Sequence, residues 1–393
     1  MKTDLFLLFV IILFSLYPRL WKLESIPRMI VDEPAYLRDI HGLVNHKQGL
    51  VVTDFQWDYS QATLFYYPTI LLAQLLRTTP DLFILRLTSV LFSLGGLVTF
   101  YLILTQRINK YLAFCVTLLF AFSYYYLQFS RVGWGVIYTT VLGLYYFYFL
   151  DLAFRKKQLF WFTLSGFVGG IIFYGYRAAE VYLIAGFAFL LIKTVCADYS
   201  SKKKVTVLLI FLGTFFITAF PWINKISQNW ELYNMRQRVV SVFNTKPYHG
   251  MTDTTKIIKY QISTTIKSWV LLEPVDGGGI ENSRYLPLKD SPVNLIIRIL
   301  FILGLFISLR RFKTTYVWWI VYLLGLIFGQ ILTVDPPNGA RALIILPMIY
   351  FFAALALEKI YRLYPKRLWL LTIIIVVLLT AYHDFAYYQH WVG

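Results

Sequence analysis

The sequence predicts an all-α, polytopic membrane protein, and three observations support this class. Of the 393 residues, 58% are hydrophobic and only 15% are charged, far below the quarter that is usual for soluble domains. Apolar runs long enough to cross a bilayer recur along almost the whole chain. Lysines and arginines fall in short clusters between these runs, as the loops on the cytoplasmic side of a membrane protein require.

The apolar runs predict a bundle of about eleven transmembrane helices. They lie near residues 4–20, 84–104, 111–128, 134–151, 158–175, 179–194, 205–222, 293–309, 315–334, 339–357 and 368–385. No small-residue cleavage site follows the first run, which favours a retained helix over a signal peptide.

The distribution of basic residues predicts the orientation of the bundle. Clusters near Arg107, Arg155, Lys202, Arg310 and Lys366 fall at every second helix boundary if the N-terminus is cytoplasmic. The apolar segment 64–76 would invert this order if it crossed the membrane fully. We therefore predict a short juxtamembrane or re-entrant segment there, on the outer side of a multi-pass plasma-membrane protein.

This topology divides the chain into three parts. Residues 1–222 form an N-terminal transmembrane module whose first outer loop is 21–83. Residues 223–291 form a long extracytoplasmic loop, and 292–393 form the C-terminal helices. The formal charge of +17 comes from positive residues that fall in short clusters between apolar segments, which argues against a nucleic-acid partner. Membrane lipids are the expected surroundings. The two cysteines show no metal-ligand spacing and predict no disulfide.

Asp32 and Glu33 are the first candidates for chemistry. Pro34 suits the first turn of a helix, and apolar residues from Tyr36 to Val44 follow at helical spacing, which predicts an amphipathic helix on the outer surface. One interpretation is that the acids only cap this helix and favour its dipole. The other is that a carboxylate at the outer mouth of the bundle acts as a general base.

Three arginines lie at the outer ends of predicted spans, namely Arg131, Arg177 and Arg341, with Arg86 as a weaker fourth. A single such arginine usually extends to lipid headgroups. Several at one level, near an acidic pair, favour a phosphate ligand, because the planar guanidinium donates paired hydrogen bonds.

The long outer loop carries two further features. Residues 276–285 include three glycines and Arg284, and they lack the Gly-Lys-Ser/Thr ending of a nucleotide-binding loop. We predict a flexible loop over the site. Upstream, Ile258, Ile262, Thr265, Ile266 and Trp269 show helical spacing and predict a second surface helix.

The order of these motifs resembles the GT-C glycosyltransferases that use polyprenyl-phosphate sugars, in particular the protein O-mannosyltransferase and aminoarabinose transferase branch. The resemblance is carried by the Asp-Glu pair after the first span and by the following motifs: Tyr66-Tyr67-Pro68, Arg86-Leu87-Thr88-Ser89, Phe129-Ser130-Arg131 and Arg341-Ala342-Leu343. It covers residues 1–195 well.

The resemblance implies a site and a reaction. The catalytic carboxylate would be Asp32 with Glu33 beside it. Arg177 with Tyr176, Arg341 and Arg131 would bind the donor phosphate, and Arg86, Arg284 and Tyr67 are further candidates. The sugar would pass with inversion from a polyprenyl phosphate to a protein, glycan or lipid acceptor. No cofactor is implied, although some members of the fold bind a divalent metal at their acids.

A second hypothesis from another class is a transporter or flippase of lipid-linked glycan precursors, which would use the same basic, aromatic cavity. Such carriers usually show internal symmetry or helices broken in mid-membrane. The sequence shows neither, and the acids and arginines collect at one surface, which favours the transferase. The family's large C-terminal extracytoplasmic domain has no counterpart in these 393 residues, so the acceptor is left open.

Overall fold

The computed structural model describes residues 2–45, 62–244, 248–273, 290–363 and 367–392. Over these ranges the chain is helical, and its only extended pairings are two isolated bridges, Ser241 with Thr333 and Tyr248 with Met251. The predicted all-α class is therefore confirmed. The glycine-rich loop and Arg284 lie outside the described residues.

The helices are numbered in chain order. The first nine are α1 Lys2–Leu20, α2 Asp32–Val44, α3 Tyr67–Leu75, α4 Leu82–Thr105, α5 Lys110–Phe122, α6 Tyr124–Arg131, α7 Gly135–Lys156, α8 Leu159–Ile172 and α9 Glu180–Cys196. The others are α10 Ser201–Gln228, α11 Trp230–Val240, α12 Thr254–Thr265, α13 Leu295–Arg310, α14 Phe312–Leu326, α15 Gly339–Ala342, α16 Leu346–Leu363 and α17 Arg367–Val392. Single π turns, Ile266–Val270 and Ile327–Ile331, extend α12 and α14.

Within the described ranges, eight helical stretches are long and apolar enough to cross a membrane, and the bent pair α5–α6 adds a ninth. Helices α8 and α13 are shorter, with 14 and 16 residues. Both belong to the bundle, since α8 packs between α7 and α10 and α13 packs against α16. The predicted count of eleven requires these two to cross as well, and it stays a prediction.

The segment predicted to stay on one side forms a short helix. A 3-10 turn, Thr63–Phe65, leads into α3, which has nine residues. At 1.5 Å per residue α3 is roughly 14 Å long, about half the thickness of a hydrocarbon core. Its length therefore agrees with a juxtamembrane or re-entrant position.

The span predicted over residues 111–128 is not one straight helix. It breaks at Ser123, and α5 and α6 meet at an angle of 61°. The break frees the Ala121 carbonyl from the helical ladder, and the buried Arg19 guanidinium donates to it over 3.0 Å. Insertion of a side chain into the ladder is a recognised cause of such bends.

Helix α16 lies at the centre of the bundle, since every residue from Leu346 to Glu358 is buried. The outer helices α1, α10, α13 and α17 instead expose large apolar side chains. These include Phe6, Phe9, Ile217, Phe220, Ile299, Phe306, Leu379 and Tyr382. In water such a surface would be unfavourable, so the outer ring is the part of the protein that faces lipid.

The bundle has two chemically different ends. At one, which we call the basic end, Lys110 lies 4.0 Å from Asp4, and Asp151 pairs with Arg107 and Arg155. The opposite end, which we call the loop end, carries the 21–31 loop, α2, α3, α11 and α12. The clusters near Arg107 and Arg155 thus lie at the same end of the bundle, and the side of the membrane that this end faces stays a prediction.

Small residues bring α8 and α10 close together. Gly166 and Gly170 are one turn apart, and a Cβ added at either would lie 2.4 Å and 2.9 Å from the carbonyl oxygens of Phe211 and Phe215. This small-xxx-small contact is typical of membrane helix pairs.

Helix α12 forms as predicted, and the residues at helical spacing divide between buried and exposed positions. Thr265 and Trp269 are buried, whereas Ile262 and Ile266 are 39% and 43% exposed. Polar contacts decide the orientation instead. The Gln261 amide donates to the Thr333 carbonyl over 3.0 Å, and the Trp269 indole bonds to Gln330. A buried amide or indole requires such a partner, so these contacts outweigh the isoleucines.

Candidate functional site

Glu33 and Arg86 form a buried ion pair at the start of α2. Arg86 donates to both oxygens of the Glu33 carboxylate, over 2.8 Å and 2.9 Å, and both side chains are fully buried. A third contact, from Arg86 to the Leu23 carbonyl over 2.8 Å, holds the loop that precedes α2. Bidentate pairs of this kind are the strongest that arginine makes.

Two backbone amides complete the surroundings of Glu33. The amides of Ile30 and Gly133 donate to its oxygens over 3.0 Å and 2.8 Å. The helix begins at Asp32, and its N-cap position, Val31, has no side-chain cap bond. The predicted capping by the acids is therefore wrong in detail, because Glu33 reaches back to Ile30 and across to the α6–α7 junction. Its contacts are structural.

Asp32 precedes Glu33 on a different side of α2, and its side chain is only half-buried. Because Glu33 is fixed by four hydrogen bonds, Asp32 has a defined position at the loop end. Of the two acids, Asp32 is the less buried.

The same side of α2 carries Asp39, which sequence reasoning missed. Asp39 lies two turns after Asp32 and accepts a hydrogen bond from the Tyr66 hydroxyl over 3.2 Å. The Tyr66 ring packs edge-on against Tyr36 at 5.1 Å. Burial raises the pKa of Tyr66 well above its ordinary value, so Tyr66 stays a neutral donor. The seven-residue spacing of Asp32 and Asp39 was the available signal.

Arg131 is buried and engaged with backbone. It donates to the carbonyls of Pro18, Trp21 and Ile26, and it lies over the ring of Tyr388. These contacts fasten the loop after α1 to the end of α6. They favour a structural role for Arg131 over the predicted contact with a phosphate.

Arg177 is one-third exposed and lies against α11. Its guanidinium carbon is 3.9 Å from the centre of the Tyr233 ring, and it donates to the Tyr233 carbonyl and the Asn234 side chain over 3.2 Å and 3.5 Å. Glu180 lies 3.7 Å away. Burial raises the pKa of Tyr233 to about 12. The contacts of Arg177 are longer than those of Arg86, and Arg177 is the more exposed of the two arginines.

Arg341 is half-buried on the short helix α15, and it donates to the Val334 carbonyl over 2.8 Å. The buried amide of Gln330 fixes the preceding segment, since its oxygen accepts from the Asn338 amide over 2.9 Å and its nitrogen donates to the Asn338 carbonyl over 3.1 Å. Asn338 in turn caps α15 by accepting from the Arg341 amide. The sequence predicted Arg341 as a site residue, but it did not predict that Gln330 and Asn338 hold the segment that carries it.

Helix α11 links Arg177 to Arg341. Arg177 contacts the Tyr233 carbonyl, and the Val240 carbonyl accepts from Val334, whose own carbonyl binds Arg341. Seven residues of helix separate the two points on α11, which is roughly 10 Å. The structure therefore places both arginines along one side of the loop end.

The two tyrosine candidates are half-buried. The Tyr176 ring lies 5.7 Å from the Trp134 ring, beside the α6–α7 junction that also contacts Glu33. Tyr67 begins α3. Within the described ranges, no three His, Cys, Asp or Glu side chains gather as metal ligands would.

Comparison with known proteins supports the fold. No protein-family model and no curated protein matches the sequence. Among solved structures, the fold is similar to that of ArnT from Cupriavidus metallidurans. The crystal structure of ArnT bound to undecaprenyl phosphate has a TM-score of 0.58 and 12% identity, covering 89% of this chain and 60% of ArnT. The apo crystal structure gives 0.61 and 11%, covering 89% and 59%.

The chain therefore spans about three fifths of the length of these neighbours. At such low identity the likeness establishes the fold. The predicted all-α bundle is confirmed, and its fold is similar to that of ArnT.

Proposed function

We propose that this protein is an inverting membrane glycosyltransferase, which moves a sugar from a polyprenyl-phosphate donor to an extracytoplasmic acceptor. The observation that carries the proposal is the likeness of the bundle, over 89% of the chain, to a protein whose crystal structure contains undecaprenyl phosphate. The chemistry at the loop end fits the same reaction, since it offers one accessible carboxylate and two accessible arginines.

The reaction follows from these residues. Asp32 takes the proton from an acceptor hydroxyl as its oxygen bonds to the anomeric carbon. The bond from that carbon to the phosphate oxygen breaks on the opposite face, and polyprenyl phosphate leaves. Arg177 and Arg341 stabilise the charge that develops on the leaving phosphate. A phosphate is a good leaving group, so one carboxylate is sufficient, unlike in a glycosidase with its acid–base pair.

Glu33, Arg86 and Arg131 support this arrangement without touching the substrate. Arg86 and the amides of Ile30 and Gly133 hold Glu33, and Glu33 in turn fixes the first turn of α2 and its neighbour Asp32. Positioning of a reactive group to within a fraction of an ångström contributes strongly to catalysis.

The replacement Asp32→Asn tests the proposal. We expect transfer to fall by at least about 100-fold, the usual contribution of a general base, with unchanged thermal unfolding. Purified protein in lipid nanodiscs is incubated with undecaprenyl-phosphate-linked glucose, mannose and arabinose in the presence of mixed cell-envelope extract, and release of undecaprenyl phosphate is measured. Asp253→Asn, at the start of α12, is the matched control.

Full activity of the Asp32→Asn protein would contradict the assignment of the base. Movement of intact donor across liposomes without release of undecaprenyl phosphate would instead support the flippase.

A further inference from the structure

Helix α11 carries a groove to which the proposed reaction assigns no role. The groove is open, has a volume of about 320 Å³, and is lined by residues from one side of the helix and its end: Trp230, Asn234, Gln237, Arg238, Ser241 and Asn244. We propose that this groove binds a carbohydrate acceptor. The inference rests on the proposed function, since sugar transfer is what requires an acceptor beside the donor.

The three sides of α11 have different chemistry. Tyr233 is buried against the bundle, where its hydroxyl donates to Glu180 over 3.2 Å. Leu232 and Val239 form an apolar side that is exposed by 42% and 53%. At 100° per residue, Trp230 and Val239 point about 180° apart. The groove therefore faces away from the side suited to lipid, and Trp230, although 61% exposed, is not placed as a membrane anchor.

The side chains of the groove suit a sugar. The flat face of an indole packs against the apolar C–H face of a pyranose, as it does against other amphipathic surfaces. The amide of Gln237 and the guanidinium of Arg238 are planar hydrogen-bonding groups that suit hydroxyls. The amide of Asn234 donates to the Trp230 carbonyl over 3.0 Å and holds this side of the groove in place. A peptide that binds as an added strand or as an amphipathic helix needs an exposed strand edge or apolar side-chain pockets, and Trp230 is the only large apolar side chain among the lining residues.

The groove also lies in the right place. At one end Asn234 accepts from Arg177 over 3.5 Å. At the other end Ser241 pairs with Thr333, and Val334, the next residue, accepts from Arg341. A glycan along α11 would thus run between the two arginines proposed to hold the donor phosphate.

Binding can be measured without donor turnover. Saturation-transfer-difference NMR is recorded on the full chain in nanodiscs with maltopentaose, cellopentaose and chitopentaose as probes, and with a Ser/Thr-rich decapeptide as the competing class. We expect at least one pentasaccharide to bind. Trp230→Ala should weaken that binding about tenfold or more, and Trp230→Phe, which keeps an aromatic face, should weaken it less.

Trp369→Ala is the matched control, because Trp369 is a partly exposed tryptophan near the start of α17. This variant should bind the pentasaccharide as tightly as wild-type protein. The groove is refuted if no pentasaccharide binds, if Trp230→Ala binds as tightly as wild type, or if the decapeptide alone binds in a Trp230-dependent way. Wild-type protein that binds a pentasaccharide through Trp230 but releases no undecaprenyl phosphate would overturn the proposed reaction and leave the groove standing.

Discussion

Two neighbouring carboxylates at the start of α2 have very different surroundings. Glu33 is fully buried and receives four hydrogen bonds from Arg86, Ile30 and Gly133. Asp32 is half-buried. Taking a charge out of water is costly unless it is paired, so the buried Glu33 is committed to its partners, whereas the proposed base is the half-buried Asp32. The difference arises from the helix, which turns successive side chains by 100°.

The buried pair of Glu33 and Arg86 leads to a prediction about stability. Glu33→Gln removes the charge but keeps the shape, and it leaves Arg86 buried without a counter-ion. We expect a loss of about 3–5 kcal/mol in stability, the cost of breaking a buried pair, measured as a lower thermal unfolding midpoint in detergent.

Asp151→Asn at the basic end is the control for this experiment. Its pairs with Arg107 and Arg155 are partly exposed, and such pairs contribute only about 0–1 kcal/mol. Equal midpoints for the two variants would contradict the structural role of Glu33.

Helices α2 and α12 show when hydrophobic periodicity is enough to predict which side of a helix is buried. In α2 the predicted apolar side is largely buried, with Tyr36, Ile40 and Leu43 in contact with the bundle. In α12 the isoleucines were the strongest signal, yet Gln261 and Trp269 determine which side is buried. Hydrophobic periodicity predicts orientation only when no buried polar side chain needs a distant partner.

The α8–α10 contact leads to a prediction about helix packing. Gly170→Val would place a Cβ 2.9 Å from the Phe215 carbonyl and 2.6 Å from the Thr218 Cβ, which forces the helices apart. We expect a lower unfolding midpoint and aggregation on size-exclusion chromatography, since overpacking costs about 1–3 kcal/mol.

Gly213→Val is the matched control on α10, because a Cβ there meets nothing within 4 Å. If both valine variants behaved alike, close packing at Gly170 would not be what holds α8 in the bundle.

Taken as a whole, the bundle separates a basic end from the loop end that carries the proposed site. The positive-inside rule predicts that the basic end faces the cytoplasm. The two cysteines allow a test of this orientation, because Cys115 is buried and Cys196 is exposed at the end of α9. We expect a membrane-impermeant maleimide to label Cys196 only after permeabilisation of the cells.

The reciprocal probe is Ser25→Cys in a Cys196→Ser background. Ser25 is exposed in the loop after α1, so this protein should label in intact cells. Labelling of the two proteins with the opposite dependence on permeabilisation would show that the orientation is reversed and that the site faces the cytoplasm.

Composition and local periodicity were enough to predict the class of protein, the helix after Asp32 and several polar side chains near it, although not Asp39. These properties depend on the order and spacing of residues along the chain, so the sequence alone displays them. Which of those side chains are committed to the fold depends on packing between distant segments. Glu33 and Arg86 are 53 residues apart, and Arg131 binds carbonyls more than 100 residues earlier. A fully buried arginine that holds a loop and a partly exposed arginine look the same in sequence, because their difference lies in partners that only packing brings together.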